Sequence, residues 1–570
     1  MIMLLRLASL FHDIGKFYQR TGIDIDLNKY KKYLVYRNNK YQYYHGAYTA
    51  MFLENFLDRH FLGFLELSAS HHLPKTSLVK KADIISAAHD RRDSDYDDIF
   101  GEGEISNSNL ITTRLLSIFN EIKINKHKNQ KKYIKLEKFA DFWRFEENIN
   151  FNYQKSKDDY QKLFNEMIKE INKLGYNKYE LLYHQIYPIL KNYTITIPAN
   201  TYNTSFPTIG LFDHLKLTTA ISNSLSRTNL SKEFVIIKYH LHGITDFVYQ
   251  NDDFKLVQAR SLYMNLLSEL IAYRIISEFG LSYENILYSL GGQGRILVPN
   301  VINIEERIKR INCVICANVK FKHQRIIKFV LSYDIYDDEE LKAGIFKKNI
   351  SLNEKIVINS DEKFSDSNQE IDYQVLNPFI KLEKFIIAFD FKKQLNGELE
   401  IDFNDLGKLV INPSSLESDP YYLSINQLKL GESKYIGFVR ALKSQEALVM
   451  VMMDIKDLHL ILKTCIAKKA QSISKDLTIS RLLELFFAKT VTNICKKNGN
   501  VNLLYAGGDD IVFITDENNA KQLIYEITSE FQNYTGEMAS RLISGMIPIN
   551  HQPLLKTYHD LKMKLKNIQI

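Results

Sequence analysis

LLYAGGDDIVFI, Leu503 to Ile514, sets two short apolar runs on either side of Gly507-Gly508-Asp509-Asp510. Apolar runs bounded by a glycine turn read as a β-hairpin, because glycine enters the positive-φ region where other residues strain. Two adjacent carboxylates at such a tip are costly to bury unless something positive sits there. A divalent metal carrying a nucleoside triphosphate is the natural occupant. A solvated surface turn is the plain alternative, and the rest of the chain decides between them.

Outward from the hairpin, ALVMVMMD (Ala447–Asp454) predicts a strand and Thr478–Lys497 a helix. After the hairpin come a helix over Gln522–Tyr534, a strand over Ala539–Ile547 and a last helix over Pro553–Lys566. The order β-α-β-β-α-β is the ferredoxin-like split βαβ arrangement. A similar order begins at FVIIKYHL (Phe234–Leu241), followed by a long amphipathic helix over Leu256–Phe279. ENILYSL, GGQG and RILVPN (Glu284–Asn300) then read as strand, glycine turn and strand. His240 precedes Gly291 by 51 residues and Asp454 precedes Gly507 by 53, which points to an internal duplication at domain scale. The copies are chemically unequal. The second places Asp454 at the end of its first strand, where it is expected to face Asp509 and form a carboxylate cluster with Asp510. The first has His240 and GGQG instead, so it is expected to be structural or to cradle substrate.

At 570 residues the chain predicts three or four domains of roughly 150 residues each. Its 45% hydrophobic and 25% charged residues are those of an ordinary globular protein. A net charge of +7 is compatible with a nucleic-acid partner without requiring one. Four cysteines give no disulfide framework, which favours a cytoplasmic protein. No apolar run approaches the ~18 residues of a membrane span. MIMLLRLASLF at the N-terminus lacks a basic flank, runs straight into His12-Asp13, and reads as a buried helix rather than a signal segment.

A second constellation starts at Leu10-Phe11-His12-Asp13-Ile14-Gly15-Lys16 and continues with His45, His71-His72 and Asp83. Imidazole and carboxylate suit a transition metal or another divalent ion, which lowers the pKa of bound water and makes a hydrolytic nucleophile. A lone histidine is more often structural, but adjacent pairs at three places in one short segment favour a shared site. Which of His71 and His72 points inward is left open, since neighbours on a helix diverge. Between the copies, Cys313-Val-Ile-Cys316 is half a zinc site, with His323 the only nearby candidate partner. A zinc-free remnant is the favoured reading there.

The two constellations on one chain resemble the large subunit of type III CRISPR–Cas effector complexes, nearest the III-A (Csm) branch. FHDIGKFYQR is similar to that family's HD motif, and SASHHLP and VKKADIISAAHDRR to its later histidine and AD segments. LLSIFNEI and IGLFDHLKLTTAISNSL (Ile209–Leu225) are similar to the lead-in to the first palm. ARSLYM and ILYSLGGQGRILVPN are similar to that palm, and TISRLLELFF with YAGGDD to the second. The resemblance implies an α+β multidomain chain. It would have an N-terminal helical HD nuclease domain (1–105), a helical lead-in with a first, degenerate ferredoxin-like palm (106–300), a mixed middle domain with one CxxC (301–425), and a second palm with GGDD (426–570). It implies His12, Asp13, His71, His72 and Asp83 as the nuclease metal site. Asp454, Asp509 and Asp510 would hold the Mg²⁺ or Mn²⁺ of a cyclase, Gly507 and Gly508 would let ATP approach, and Ser480 would lie near it. Implied activities are metal-dependent cleavage of single-stranded DNA and target-RNA-activated synthesis of cyclic oligoadenylate from ATP. Implied partners are guide RNA, target RNA, single-stranded DNA and other effector subunits, with no membrane.

Three departures from the family pattern stand out. Asp454-Ile455-Lys456-Asp457 carries Lys456 where the family has a second acid, and alternation puts it on the face of Asp454 if the strand persists. Only one CxxC is present. The family's helical C-terminal domain does not follow the second palm within these 570 residues. Two other readings remain: a mainly structural subunit with a weakened palm and nuclease output only, and a free-standing cyclic-nucleotide signalling enzyme. The palm duplication and the Ile209–Leu225 segment argue against the latter.

Overall fold

The computed structural model describes residues 2–74, 77–90, 110–122, 131–139, 144–146, 151–200, 206–250, 252–322, 326–344, 447–458, 461, 472–507, 510–549 and 552–568, with short strands at 355–356, 399–402, 408–411 and 439–440. The N-terminal part is helical: α1 (Ile2–Phe11), α2 (Ile14–Arg20), α3 (Tyr44–Phe56), α4 (Leu65–Ala69), α5 (Leu78–Asp90), α6 (Tyr153–Ile171), α7 (Tyr179–Thr194) and α8 (Leu211–Leu225). α1 is buried from Leu5 to Phe11, as its apolar run predicts. The chain breaks helical geometry at His12-Asp13, and Asp13 is the N-cap of α2. Gly15 lets α2 lie against α3, because a Cβ there would collide with the His45 carbonyl and the Thr49 backbone nitrogen. The spacing of His12, Asp13, Gly15 and Lys16 is therefore a packing requirement as well as a chemical one.

Two antiparallel sheets follow. The first orders β1 (Phe234–His242), β2 (Ile286–Leu290), β3 (Gln293–Pro299) and β4 (Lys328–Tyr336) as β2-β3-β1-β4, with 355–356 on the β4 edge. Its helices are α9 (Phe254–Glu278) and α10 (Ile304–Lys322). The second orders β5 (Leu448–Ile455), β6 (Asn502–Gly507), β7 (Asp510–Asp516) and β8 (Leu542–Pro548) as β6-β7-β5-β8, with 439–440 outside β6. Its helices are α11 (Ile473–Leu485), which runs on through a π-turn at Phe486–Val491, then α12 (Glu517–Thr535) and α13 (Leu554–Lys566). The duplication reaches fine detail. Each hairpin carries a bulge, skipping Leu287 in one and Leu504 in the other, at the same distance from its turn. In the first copy the turn is Gly291-Gly292, both at positive φ, the conformation a two-residue hairpin loop requires.

One boundary in the sequence reading is corrected. α10 and β4, residues 304–336, had been placed in the middle domain, yet β4 pairs with β1 from Phe234↔Tyr336 to His242↔Lys328. The first sheet therefore continues past Asn300 and completes its own helix and final strand. The acidic stretch at 361–370 lies outside the described residues. Cys313 and Cys316 sit one turn apart on α10, with Cys313 exposed and the Cys316 thiol 3.6 Å from Asn312 Oδ1. Among the described residues no group of metal-ligating side chains includes them, and His323 lies outside those residues. No described helix is long and apolar enough to cross a membrane.

Strand alternation gives β5 two buried faces. Val449, Val451, Met453 and Ile455 join a core that includes α11, α12 and the N-terminal helices, while Met450 and Met452 join one that includes β1, α9 and α10. The first turns of α11 also dock on the helical part through a buried ion pair, Lys475 Nζ to Glu121 Oε2 at 2.6 Å, with both side chains at most 2% exposed. Replacing Lys475 by Met would take the lysine cation away from the buried Glu121 carboxylate. The expected cost is about 3 kcal/mol, measurable as a lowered midpoint in denaturant unfolding.

Candidate functional site

Two helices, one helix break and one turn segment bring the metal-type residues read from sequence together. His12 and Asp13 come from the α1–α2 break, His45 from the first turn of α3, His71 and His72 from the segment after α4, and Asp83 from α5. Two groups form around one carboxylate: Asp13 with His45, His71 and His72, and Asp13 with His12, Asp83 and His214. Asp13 Oδ1 lies 3.3 Å from His45 Nε2 and 3.5 Å from His71 Nε2. Asp13 Oδ2 lies 3.1 Å from His214 Nε2 and 3.5 Å from His12 Nε2, and Lys16 Nζ meets it at 2.5 Å. Asp83 Oδ1 lies 3.6 Å from His12 Nε2 and 3.2 Å from His214 Nε2.

The ring orientations are set from behind. His12 Nδ1 is 2.7 Å from the Ser9 carbonyl and His71 Nδ1 is 2.6 Å from that of Ser68. A carbonyl can only accept, so each Nδ1 carries the proton and each Nε2 presents a lone pair to the cluster. His45 Nε2 and His72 Nε2 approach to 2.6 Å, and His72 stacks on Tyr43. The open question at His71-His72 thus resolves to both: His71 is fully buried, His72 half-buried, and both reach the same group.

Electrostatics favour the ligating forms. Burial lowers His12, holds His45 down to about 3 and pushes His72 well below the usual histidine range. Burial works against ionised Asp13, but Lys16, His12 and His45 outweigh it and hold the carboxyl well below its ordinary value. Asp83 is likewise held well below, by His12 and His214 against the same burial. His214 goes the other way: burial opposes its charge, yet Asp90, Asp13 and Asp83 hold it well above its ordinary value. Asp13 Oδ1 and His71 Nε2 are buried with no hydrogen-bond partner. The lowered His12, His45 and His72, the ionised carboxylates and the orphaned lone pairs fit divalent transition-metal ions; an ion at the second group would take the place of the His214 Nε2 proton, and the two groups fit two ions sharing Asp13.

His214 was not read as a ligand from sequence, and His45 was noted but left out of the implied set. His214 lies on α8, more than a hundred residues from Asp83, so the site is not contained in residues 1–105. The signal was present in the quoted Ile209–Leu225 segment: an adjacent Asp213-His214 on a helix whose Thr218, Thr219, Ser222, Asn223 and Ser224 are all buried.

In the second sheet the register pairs Asp454 with Asp510. Asp509, the expected neighbour, lies with Gly508 outside the described residues. In the first sheet the equivalent pair is His240 and Gln293. The chemical inequality of the two copies therefore sits at matching positions, with the glycine pair displaced by one. Burial raises the Asp454 carboxyl, opposed by Lys562 and reinforced by Asp457. β5 ends at Ile455, so Lys456 falls just past the strand. Its backbone N–H donates to the Arg541 carbonyl at 2.9 Å and its Nζ donates to the Ile568 carbonyl beyond α13. Gly507 closes the hairpin opposite Asp510, and a Cβ there would make only ordinary contacts with Tyr505. Ser480 is half-buried in α11, beside Arg481, whose guanidinium grips the Asp213 carboxylate through Nη1 and Nη2.

A family model described as Csm1 subunit domain B matches residues 233–377, and one described as Cas10/Cmr2, second palm domain, matches residues 447–567. Among curated proteins, the single-strand-specific deoxyribonuclease Cas10/Csm1 (subtype III-A) of Enterococcus italicus is 24% identical, over 95% of this chain and 82% of its own. Its namesake in Methanocaldococcus jannaschii is 22% identical, over 93% of this chain and 84% of its own. Among solved structures, a Csm1–Csm4 cassette in complex with cA4 matches with a TM-score of 0.67 at 16% identity, over 99% of this chain and 82% of its own. Csm1 of T. onnurineus matches with a TM-score of 0.67 at 17% identity, over 99% and 81%.

Proposed function

Because the chain belongs to the Cas10/Csm1 large subunits of type III-A CRISPR systems, we propose that it is a two-activity enzyme within an RNA-guided effector complex. It cleaves single-stranded DNA at the His/Asp cluster and, when target RNA is bound, makes cyclic oligoadenylate from ATP at the second sheet. Each sheet is a ferredoxin-like palm. The first runs through β4, and the nuclease unit is the N-terminal helices with α8 closing over them. The observation that carries the nuclease assignment is the pair of ligand groups sharing Asp13. Relatives bearing the name of a single-strand-specific deoxyribonuclease support it.

Divalent ions held by His12, Asp13, Asp83 and His214, and by Asp13, His45, His71 and His72, would supply an activated water and charge neutralisation at the scissile phosphate. The chain's own residues do the rest. Lys16 holds Asp13 ionised and oriented, the Ser9 and Ser68 carbonyls fix the His12 and His71 imidazoles, and burial favours the neutral form of His12.

For the palm, Asp454 and Asp510 stand side by side to hold the cations of an ATP, with Asp509, the preceding residue in the sequence, as the third acid. The 3′-hydroxyl of one ATP attacks the α-phosphate of the next, pyrophosphate leaves, and the hydroxyl proton goes to solvent. Positioning and charge neutralisation are most of what such a transfer needs. Structural relatives solved with cA3, cA4, AMPPNP and one ATP support ATP as substrate. Lys456 does not argue for a weakened palm, since its amine is engaged by the Ile568 carbonyl. Partners under this reading are guide RNA, target RNA, single-stranded DNA and further Csm subunits, a Csm4 among them.

The test uses the assembled complex with Mg²⁺ or Mn²⁺, labelled ATP, labelled single-stranded DNA and target RNA. Ring-closed oligoadenylate and DNA fragments, both dependent on target RNA, are expected. Cyclic dinucleotide from GTP without any RNA would overturn the reading in favour of a free-standing signalling enzyme.

A further inference from the structure

α5 presents Asp83, Ser86 and Asp90 along one stripe, at helical spacing, to the His214 ring of α8. Asp83 faces Nε2, the ligand side. Ser86 Oγ and Asp90 Oδ2 face Nδ1, at 3.2 Å and 2.6 Å. A carboxylate only accepts, so Nδ1 carries the proton and Nε2 is left to the cluster. The second oxygen of Asp90 is not idle. Asp90 Oδ1 accepts a hydrogen bond from Ser474 Oγ at 2.8 Å, and Ser474 stands in the first turn of α11. All three side chains are buried: His214 2% exposed, Asp90 3%, Ser474 0%. α11 is also the helix that carries Ser480. Its neighbouring turns grip the same helical part through Thr478 and Arg481 on Asp213, the residue before His214.

We propose that Asp90 is a positioning residue for His214 and that Ser474 anchors Asp90, so that the second palm, through α11, sets the metal affinity of the nuclease site. This rests on the reading of the His/Asp cluster as a metal centre. Ser474 touches no ligand of that cluster. Its hydroxyl restrains the carboxylate rotamer, the carboxylate fixes the imidazole tautomer and tilt, and the imidazole presents Nε2 between Asp13 and Asp83. A shift of α11 therefore changes how His214 meets the ion without moving any other ligand.

The test titrates the full-length chain with Mn²⁺ by calorimetry, with DNA cleavage against Mn²⁺ concentration as a second readout. Asp90→Ala is expected to weaken binding of the ion at the His12/His214 group by about 10- to 100-fold. Asp90→Asn, whose amide oxygen still accepts from Nδ1, should fall between it and wild type. Ser474→Ala should weaken binding by about threefold to tenfold, a smaller share of the same outer-shell effect. In every case cleavage should return toward the wild-type maximum at saturating Mn²⁺, because the ligands themselves remain. His12→Ala separates the two layers of the argument. If it leaves Mn²⁺ affinity unchanged, the metal centre itself is misread. If it abolishes binding while Asp90→Ala and Ser474→Ala bind as wild type, the relay is refuted. A loss of melting temperature in these two variants with unchanged Mn²⁺ affinity also refutes it, because that is the signature of packing alone. Should Asp90→Ala fail to fold, Ser474→Ala, which removes one hydroxyl, decides the matter.

Discussion

Asp13→Ala is expected to abolish single-stranded DNA cleavage and to leave neither group of the N-terminal cluster able to hold an ion. Its two oxygens divide the work: Oδ1 faces His45 and His71, and Oδ2 faces His12 and His214. Loss of that one side chain breaks both ligand groups, whereas His45→Ala breaks one. The expected loss in cleavage rate is on the order of 10³-fold or more, the scale of removing the group that generates the nucleophile and neutralises the transition-state charge. Elemental analysis should find two ions per chain in wild type, one in His45→Ala and none in Asp13→Ala. Asp13→Asn controls for volume, since Lys16 would lose its counter-charge in either variant. Cleavage that survives in Asp13→Ala would place the nuclease elsewhere.

Asp510→Ala is expected to lower cyclic oligoadenylate synthesis by roughly 10³-fold and to leave DNA cleavage at the wild-type rate. Asp454→Ala should do the same, because the register sets the two carboxylates directly opposite one another. The two activities should also part company with pH. Burial raises Asp454, so a proton competes with the cation there as pH falls, and synthesis declines first on the acid side. Asp13 and Asp83 are held well below the ordinary carboxylate value, so they stay ionised through the same window and cleavage persists further into acid. Parallel acid limbs for the two activities would contradict this assignment of Asp454. Synthesis that survives in both Asp454→Ala and Asp510→Ala would remove the second sheet from the chemistry.

The features legible in the sequence were those carried by local pattern. Period-two alternation in ALVMVMMD, glycine turns and the repeated strand-to-turn spacing gave both hairpins and the unequal chemistry of the copies. Adjacent His-Asp and His-His pairs gave most of the candidate metal cluster. What escaped was held by contacts between distant segments. His214 joins Asp83 across more than a hundred residues, and its local sign, the adjacent Asp213, stands in the reverse order to His12-Asp13. β4 had no local sign of belonging with β1, since its alternation could serve any sheet. The register sets Asp454 opposite Asp510, and the glycine pairs of the two copies do not align: Gly291-Gly292 fill the turn in one, while Gly507 closes the strand in the other. Lys456 depended on where β5 stopped and on partners distant in sequence, the Arg541 carbonyl ahead of β8 and the Ile568 carbonyl beyond α13.

The core shared by the two sheets constrains what such a chain can become. Val235, Ile237 and Tyr239 of β1 meet the same apolar body as Met450 and Met452 of β5, and Gln258 of α9 caps the Leu503 carbonyl of β6. The copy without acids is thus half of the wall against which the acidic copy folds. Selection can strip its chemistry at His240 and Gln293 at little cost, but a deletion would lay open the inner face of the working sheet. A duplicated domain in this position can fall silent and still be impossible to lose.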